Sequence, residues 1–217
     1  TNAIFNNAKG RVLADVFTMH PYPDRQYVSA VTRHFNTEEY DLYNRLINGI
    51  KYAKSHGINS FLVSEIGYAV RMTDPLLSEH RKTQAALLAK QLITTKAVPE
   101  IEKCLAFNMY LHFDMEGGHT YNMFSGANRT DTYPNVSALT FAQCSYFLHD
   151  TEIVKSINTG LTDNVNAHIF KSQSRQLAVA TLWRGDYSTS KISIKDITDL
   201  KAFDLYGNII GEGDIEL

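Results

Sequence analysis

The sequence predicts a mixed α/β protein in which strand–helix repeats are followed by a small antiparallel β domain. Up to about residue 150, near-continuous apolar runs alternate with segments of helical periodicity. Such apolar runs are typical of parallel strands that are covered on both faces. After about residue 160, short alternating segments bounded by turn residues replace this pattern and indicate antiparallel strands.

Composition limits the partners that this chain is expected to bind. The 217 residues are 44% hydrophobic and 20% charged, which suits a folded core. The net charge is -2 and no basic run occurs, so we expect neither nucleic acid nor membrane as a partner. No apolar stretch is long enough to cross a bilayer, and no signal peptide opens the chain. Sequons at Asn128 and Asn135 favour a secreted or extracellular protein.

The first strand–helix unit covers residues 11–57. "RVLADVFTMH" reads as a strand that ends at His20, and the prolines that follow force an extended turn. The next helix is predicted over residues 37–57, with Thr37 as its cap, acidic residues in its first turn and Gly57 at its end. Its predicted buried face consists of Leu42, Leu46, Ile50 and Ala53.

The second and third units follow the same pattern. "NSFLVSEIGYA" reads as a strand, and Ser78 is predicted to cap the helix after it. "KCLAFNMYLHFD" reads as the third strand. A glycine-containing polar loop then leads to a last helix. The predicted ranges are strands 59–69 and 103–114, helices 78–98 and 136–150, and loop 115–135.

The antiparallel tail is predicted to begin near residues 155–160, so the sequence divides into domains 1–157 and 158–217. "YGN" is a good hairpin turn within this tail. The two cysteines, Cys104 and Cys144, are expected to be buried free thiols.

The predicted strand ends are rich in acids, imidazoles and phenols. Because ligands of parallel β/α folds bind at the carboxyl ends of the strands, we expect a functional site there. Taken singly, each of these residues has a structural explanation, and it is their joint position that favours function. The candidate residues are Asp15, His20, Tyr22, Glu65, Tyr68, His112, Asp114, Glu116 and His119.

Sugar chemistry suits this set of side chains. Glycosidic bond cleavage needs carboxylates, and aromatic faces and polar groups hold the sugar. Glu65 ends an apolar strand in "SFLVSEIGYAV" and can therefore be held near an anomeric carbon. A neighbouring tyrosine can donate a hydrogen bond that keeps a nucleophilic carboxylate ionised.

These motifs resemble the C-terminal part of the retaining glycoside hydrolases of clan A, which have a (β/α)8 barrel. "FLVSEIGY" is similar to the motif that carries the nucleophile of that group at the end of strand seven, which implies this role for Glu65. "HPY" resembles the end of strand six, and "CLAFNMYLHFD" resembles strand eight, where Phe113 replaces the usual tryptophan. "RQLAVATLWRGD" and "LKAFDLYGNII" resemble strands of an accessory β-sandwich.

The resemblance implies an α/β fold, the C-terminal portion of a (β/α)8 TIM barrel followed by a small antiparallel β-sandwich domain. It implies cleavage of O-glycosidic bonds by retaining double displacement, with a carbohydrate substrate and without cofactor or metal. The residues implied to bind substrate are His20, Tyr22, Tyr68, His112, Phe113, Asp114 and Glu116.

One departure from the family pattern changes the expectation for partners. The acid/base Glu of that group lies in an Asn-Glu pair on strand four, and no Asn-Glu occurs here. Three strands cannot close a barrel. We therefore expect another segment or chain to complete it and to supply the acid, and we expect residues 1–217 alone to expose sheet edges and apolar surface.

Two other functions fit the same residues. A non-catalytic carbohydrate-binding or structural protein could keep this scaffold without the acid. A metal-dependent barrel hydrolase is the other alternative, because the ligand types permit a divalent ion although no paired His motif supports it. Its ligands would be Asp15, His20, Glu65, His112 and Asp114.

Overall fold

The computed structural model describes residues 14–22, 27–28, 41–109, 118–126, 131–158, 165–184, 193–194, 199–212 and 215–216. In these ranges, three helices and fifteen short strands form a mixed α/β structure with several small sheets. The described strands do not form a closed barrel. No described helix has the length and apolar character needed to cross a membrane.

A three-stranded parallel sheet forms the first part of the fold. Its strands are β1 (Val16–Met19), β3 (Ser60–Ile66) and β5 (Ile101–Ala106), and they lie side by side in that order. Helix α1 (Leu42–Lys54) connects β1 to β3, and helix α2 (Leu77–Lys96) connects β3 to β5. The predicted strand–helix repeats are thus confirmed.

The buried face of α1 agrees with the prediction, whereas the residue at which the helix begins does not. Leu42, Leu46, Ile50 and Ala53 are its buried residues, and they pack against β1 and β3. The helix begins at Leu42, and its first turn holds no acidic residue, so the predicted acidic first turn is wrong. The predicted cap, Thr37, lies outside the described residues. After the helix, Gly57 adopts φ 83°, which suits glycine best and supports its predicted role as terminator.

Helix α2 begins one residue before its predicted cap. Ser78 lies inside the helix, so its prediction as cap is wrong, and Leu76 holds the N-cap position. The turn is fixed instead by Asp74, whose carboxylate accepts a 2.8 Å hydrogen bond from the Leu76 N–H. Most of α2 is buried, because it packs against both the parallel sheet and helix α3 (Val136–Leu148).

A second small sheet joins the segments that leave the parallel strands. It contains β2 (Tyr27–Val28), β4 (Ala69–Arg71) and β6 (His119–Thr120), with β4 in the middle. Along the chain, β2 follows β1, β4 follows β3, and β6 follows β5. The three loops at the carboxyl edge are therefore tied together by backbone hydrogen bonds.

The third parallel strand ends earlier than predicted. The Phe107 N–H still bonds the Ile66 carbonyl at 2.8 Å, and the chain then leaves the sheet. The carbonyls of Asn108 and Met109 accept hydrogen bonds from residues 123 and 124 instead. The predicted strand is therefore not continuous beyond Ala106, because pairing with this later segment replaces pairing with β3. His112, Phe113, Asp114 and Glu116 lie outside the described residues.

The C-terminal part contains antiparallel strands, as predicted. β9 (Thr151–Asn158), β10 (Val165–Ser172) and β11 (Ala178–Arg184) form one sheet. The sequence did not predict β9 as a strand. This strand begins before the predicted domain boundary near residues 155–160. The division into two domains stays a prediction. Phe170 is fully buried against α2 and α3, so a shared apolar cluster connects this sheet to the helices.

Short strand pairs complete the described fold. β13 (Lys201–Phe203) and β14 (Ile209–Glu212) form a hairpin in which Gly207 has φ 94°, which confirms the turn predicted at "YGN". β7 (Phe124–Ser125) pairs with β8 (Tyr133–Pro134). β12 (Ser193–Ile194) pairs with β15 (Ile215–Glu216).

Two sequence features take structural roles. Cys104 and Cys144 are free, as predicted, and burial raises the pKa of each thiol to about 12.

The Asn135 side chain of the second sequon makes two hydrogen bonds within the fold. It donates to the Asn122 carbonyl at 3.0 Å and accepts from the Ser125 hydroxyl at 3.0 Å. A glycan on Asn135 would break this arrangement, while the sequon at Asn128 lies outside the described residues.

Candidate functional site

The candidate site lies where β1 and β3 end at the same edge of the parallel sheet. Met19 is paired with Val63 in the register of these strands. The next residues, His20 and Ser64, are therefore neighbours, and His20 Nε2 lies 2.9 Å from Ser64 Oγ. Glu65 follows directly, so the register itself brings an imidazole to the predicted nucleophile.

The Glu65 carboxylate has two side-chain contacts among the described residues, and both involve Oε2. The Tyr22 hydroxyl donates a hydrogen bond to this oxygen at 3.3 Å. His20 Nδ1 lies 3.5 Å from the same oxygen. The Glu65 side chain is 37% exposed. The carboxylate is thus held through one oxygen, and it remains accessible to a ligand.

Tyr22 is suited to stay a hydrogen-bond donor. Its pKa is raised well above the ordinary value, first because the phenol is partly buried and second because the Glu65 carboxylate disfavours a second negative charge. The hydroxyl therefore keeps its proton at neutral pH. An ionised carboxylate can only accept hydrogen bonds, so the Tyr22 hydroxyl is the donor and Glu65 the acceptor.

A row of aromatic rings continues from Tyr22 into the protein. The Tyr22 and Tyr121 rings meet edge to face, with centroids 5.9 Å apart. Tyr121 in turn meets the Phe107 ring at 5.3 Å. Edge-to-face packing of this kind fixes ring orientation. The phenol that contacts Glu65 is therefore positioned by a packed neighbour.

Sequence reasoning missed three residues of this site: Ser64, Phe107 and Tyr121. Simple strand alternation predicts that Ser64 and Glu65 point to opposite faces, yet both contact His20. The register between β3 and β5 shifts between Val63 and Ile66, which is where this alternation fails. Tyr121 comes from a polar loop, and only the fold shows that this loop returns to the strand ends.

Gly67 allows β3 and β5 to approach closely just beyond Glu65. A Cβ atom at this position would lie 2.4 Å from the backbone oxygen of Phe107. No side chain is compatible with that distance unless the backbone moves. The glycine of "SEIGY" therefore has a packing reason, because it lets the end of β5 support the strand that carries Glu65.

A buried arginine fixes the segment that carries Tyr121. Arg81 on α2 donates to the Asn122 carbonyl at 2.9 Å and to the Gln84 side-chain oxygen at 3.1 Å. Gln84 in turn donates to the Tyr68 carbonyl at 2.6 Å. Side chains of helix α2 thus donate hydrogen bonds to the loop after β3 and to the loop that supplies Tyr121.

Some of the predicted site residues lie together at the end of the sheet, and others do not. The structure brings His20, Tyr22 and Glu65 together. Tyr68 is 3% exposed and packs against Val70 and Leu87, so it has a packing role, and contact with substrate stays a prediction.

Two further candidates lie away from Glu65. Asp15 precedes β1 and is exposed at the amino end of the sheet, opposite to the predicted edge. His119 pairs with Arg71 in the second small sheet. The predictions for His112, Phe113, Asp114 and Glu116 fall outside the described residues.

Among the described residues, no three His, Cys, Asp or Glu side chains are grouped closely enough to hold a metal ion. The described site contains the Glu65 carboxylate, the His20 imidazole, the Ser64 hydroxyl and the Tyr22 phenol. No family model, curated protein or solved structure matches the chain.

Proposed function

We propose that this chain carries the nucleophile of a retaining glycoside hydrolase and that Glu65 is this nucleophile. The observation that carries the proposal is the attachment of the Glu65 carboxylate at a parallel strand end. Oε2 is held by the Tyr22 hydroxyl at 3.3 Å and faces His20 Nδ1 at 3.5 Å. Oε1 is then the oxygen that attacks the anomeric carbon of the sugar.

The reaction proceeds in two displacements. Glu65 attacks the anomeric carbon while a carboxylic acid protonates the leaving oxygen, and a covalent glycosyl-enzyme forms. The same acid then acts as a base on water, which releases the sugar with its configuration retained. The acid and Glu65 are expected to be about 5–5.5 Å apart. We propose that sequence outside these 217 residues supplies this acid.

Tyr22 and His20 act on Glu65 and on the substrate. The Tyr22 hydrogen bond fixes the carboxylate in one orientation, which lowers the entropic cost of attack. His20 contacts the same oxygen and is half exposed, so it can also reach a sugar hydroxyl. The packed Tyr22–Tyr121 pair supplies an apolar wall beside the carboxylate.

We further propose that the parallel sheet is the C-terminal portion of a (β/α)8 barrel and that the antiparallel strands form the accessory sandwich. The order β1, β3, β5 with intervening helices supports this reading. The face of the sheet away from α1 also supports it, since Val16 on β1 is 39% exposed and Leu105 on β5 is 55% exposed. A further segment or chain would cover this face.

Replacement of Glu65 by glutamine tests the proposal in the complete protein. The exchange is nearly isosteric, so turnover of aryl glycosides should be lost while the circular dichroism spectrum is unchanged. A 2-fluoro glycoside should label the peptide that contains Glu65 in the wild type. Glu102→Gln, on the neighbouring strand β5 and exposed, is the matched control and should keep full activity. Undiminished hydrolysis by Glu65→Gln would refute the role of Glu65.

Carbohydrate binding without hydrolysis is the competing function. The feature in its favour is the lack of an Asn-Glu pair in the sequence. Titration calorimetry with oligosaccharides separates the two, because a binding protein would show affinity with neither turnover nor covalent label at Glu65.

A further inference from the structure

Three side chains at the strand ends form a continuous chain of contacts. Ser64 Oγ lies 2.9 Å from His20 Nε2, and His20 Nδ1 lies 3.5 Å from Glu65 Oε2. The hydroxyl and the carboxylate thus contact opposite nitrogens of one imidazole ring. A hydroxyl, an imidazole and a carboxylate in this order form the constellation that activates a serine nucleophile, and geometry rather than sequence order identifies it.

The chemistry of the contacts decides which ring nitrogen carries the proton. An ionised carboxylate has no proton to donate, so a favourable contact with Glu65 requires the proton on His20 Nδ1. In the neutral ring Nε2 is then the acceptor, and the Ser64 hydroxyl donates to it. This tautomer is the one in which the imidazole can take a proton from serine. The carboxylate then stabilises the imidazolium that results.

We propose that Ser64 is a nucleophile for acyl transfer, with His20 as its base and Glu65 as the group that orients His20. The substrate class is a short-chain carboxylic ester. Ser64 Oγ attacks the carbonyl carbon, and its proton passes to His20 Nε2. His20 returns this proton to the leaving alkoxide as the ester C–O bond breaks, which gives an alcohol and an acyl-serine. Water, deprotonated by His20, then releases the carboxylic acid and restores the serine.

Access to the site fits a small ester. His20 is 51% exposed and Glu65 is 37% exposed, so a ligand can reach the ring and the carboxylate from solvent, and Ser64 between them is half-buried. The edge formed by Tyr22 against Tyr121 gives an apolar surface next to the same carboxylate. We place the acyl group of the ester against this surface.

This activity is separate from glycoside hydrolysis, although both use Glu65. In the sugar reaction Glu65 forms the covalent bond, whereas in acyl transfer Ser64 forms it and Glu65 only contacts His20. The position of the covalent label therefore distinguishes the two reactions.

A fluorophosphonate and p-nitrophenyl acetate test the proposal on the complete wild-type protein. The fluorophosphonate should label the peptide that contains Ser64 in a 1:1 ratio. Ser64→Ala should lose this label and at least about 100-fold in p-nitrophenyl acetate hydrolysis, since the nucleophile is removed. Ser60→Ala, at the start of the same strand, is the control and should behave as the wild type.

The outcomes separate this proposal from the proposed function. Absence of phosphonate label on the wild-type peptide, or equal esterase rates for Ser64→Ala and the wild type, overturns the acyl-transfer proposal. A 2-fluoro glycoside label on Glu65 in the same sample would leave the sugar reaction intact. Conversely, a label on Ser64 together with no glycoside turnover overturns the glycosidase proposal alone.

Discussion

The hydroxyl of Tyr22 donates a hydrogen bond to Glu65 across 43 residues of sequence, because β1 and β3 are adjacent parallel strands that end together. Neither residue alone indicates a site. The relationship between them does, since a phenol that keeps its proton is placed against a carboxylate that is held at a strand end.

Tyr22→Phe removes the hydroxyl and keeps the ring that packs on Tyr121. A hydrogen bond to a charged group contributes about 1.5–3 kcal/mol, so kcat for glycosides should fall by about 10- to 150-fold. The folded structure should be unchanged. The control is Tyr43→Phe, which alters an exposed tyrosine on α1 and should have no effect on kcat. Steady-state kinetics in which both variants match the wild type would show that the hydrogen bond has no role.

Gly67→Ala tests the close approach of β3 and β5. The added Cβ would lie 2.4 Å from a backbone oxygen, which cannot rotate away, so the free energy of unfolding should fall by about 1–3 kcal/mol. Gly49→Ala is the comparison. There the new Cβ would meet the flexible Met19 side chain at 2.7 Å, and the gain in helix propensity offsets part of the cost. Urea unfolding of both variants measures the difference, and an equal loss in the two would contradict the packing role of Gly67.

The sequence predicted the strand–helix repeats well because hydrophobic periodicity reports burial directly. The buried face of α1 follows from helical spacing alone. The start of α1 and the end of β5 could not be predicted in this way. The end of β5 depends on hydrogen bonds made elsewhere, namely those that the carbonyls of Asn108 and Met109 accept from residues 123 and 124.

The candidate site was predictable to the same degree. The sequence predicts that His20 and Glu65 lie at the same edge of the sheet, because each follows a predicted strand. The apolar run before Glu65 singles out this residue as the end of its strand. The contact of Ser64 with His20 depends on the register between β1 and β3 and on the irregular end of β3. No local pattern in the sequence encodes this register. Tyr121 belongs to the site only because Arg81 and the second small sheet bring its loop back.

Stability should fall at alkaline pH through the buried thiols. The pKa of Cys104 is about 12 in the folded protein, above its value in the unfolded chain. Between the two values the folded state keeps a proton that the unfolded state has lost, so stability decreases as pH rises, by about 1.4 kcal/mol per pH unit for one thiol. The loss begins near the unfolded pKa of about 8.5.

Cys104→Ala tests this dependence. The variant should lose stability to the new cavity at every pH, but its decline above the unfolded thiol pKa should be shallower than that of the wild type. Urea unfolding at several pH values measures both slopes. Cys144→Ala should behave in the same way, since burial raises the pKa of Cys144 equally. Parallel declines for wild type and variants would show that the thiols titrate alike in both states.

Leu105→Ser tests whether the exposed face of the parallel sheet is covered in the complete protein. Leu105 is 55% exposed on β5 in this chain, so the change alone should cost little. If a further segment covers the face, burial of this leucine contributes about 1.5–3 kcal/mol, and the melting temperature of the complete protein should fall accordingly. The control is Ile209→Ser in the distant β14 hairpin, where the isoleucine is 54% exposed. If Leu105→Ser, Ile209→Ser and the wild type all have the same melting temperature, this face of the sheet is open to water in the complete protein. The proposal that a further segment completes the barrel would then be wrong.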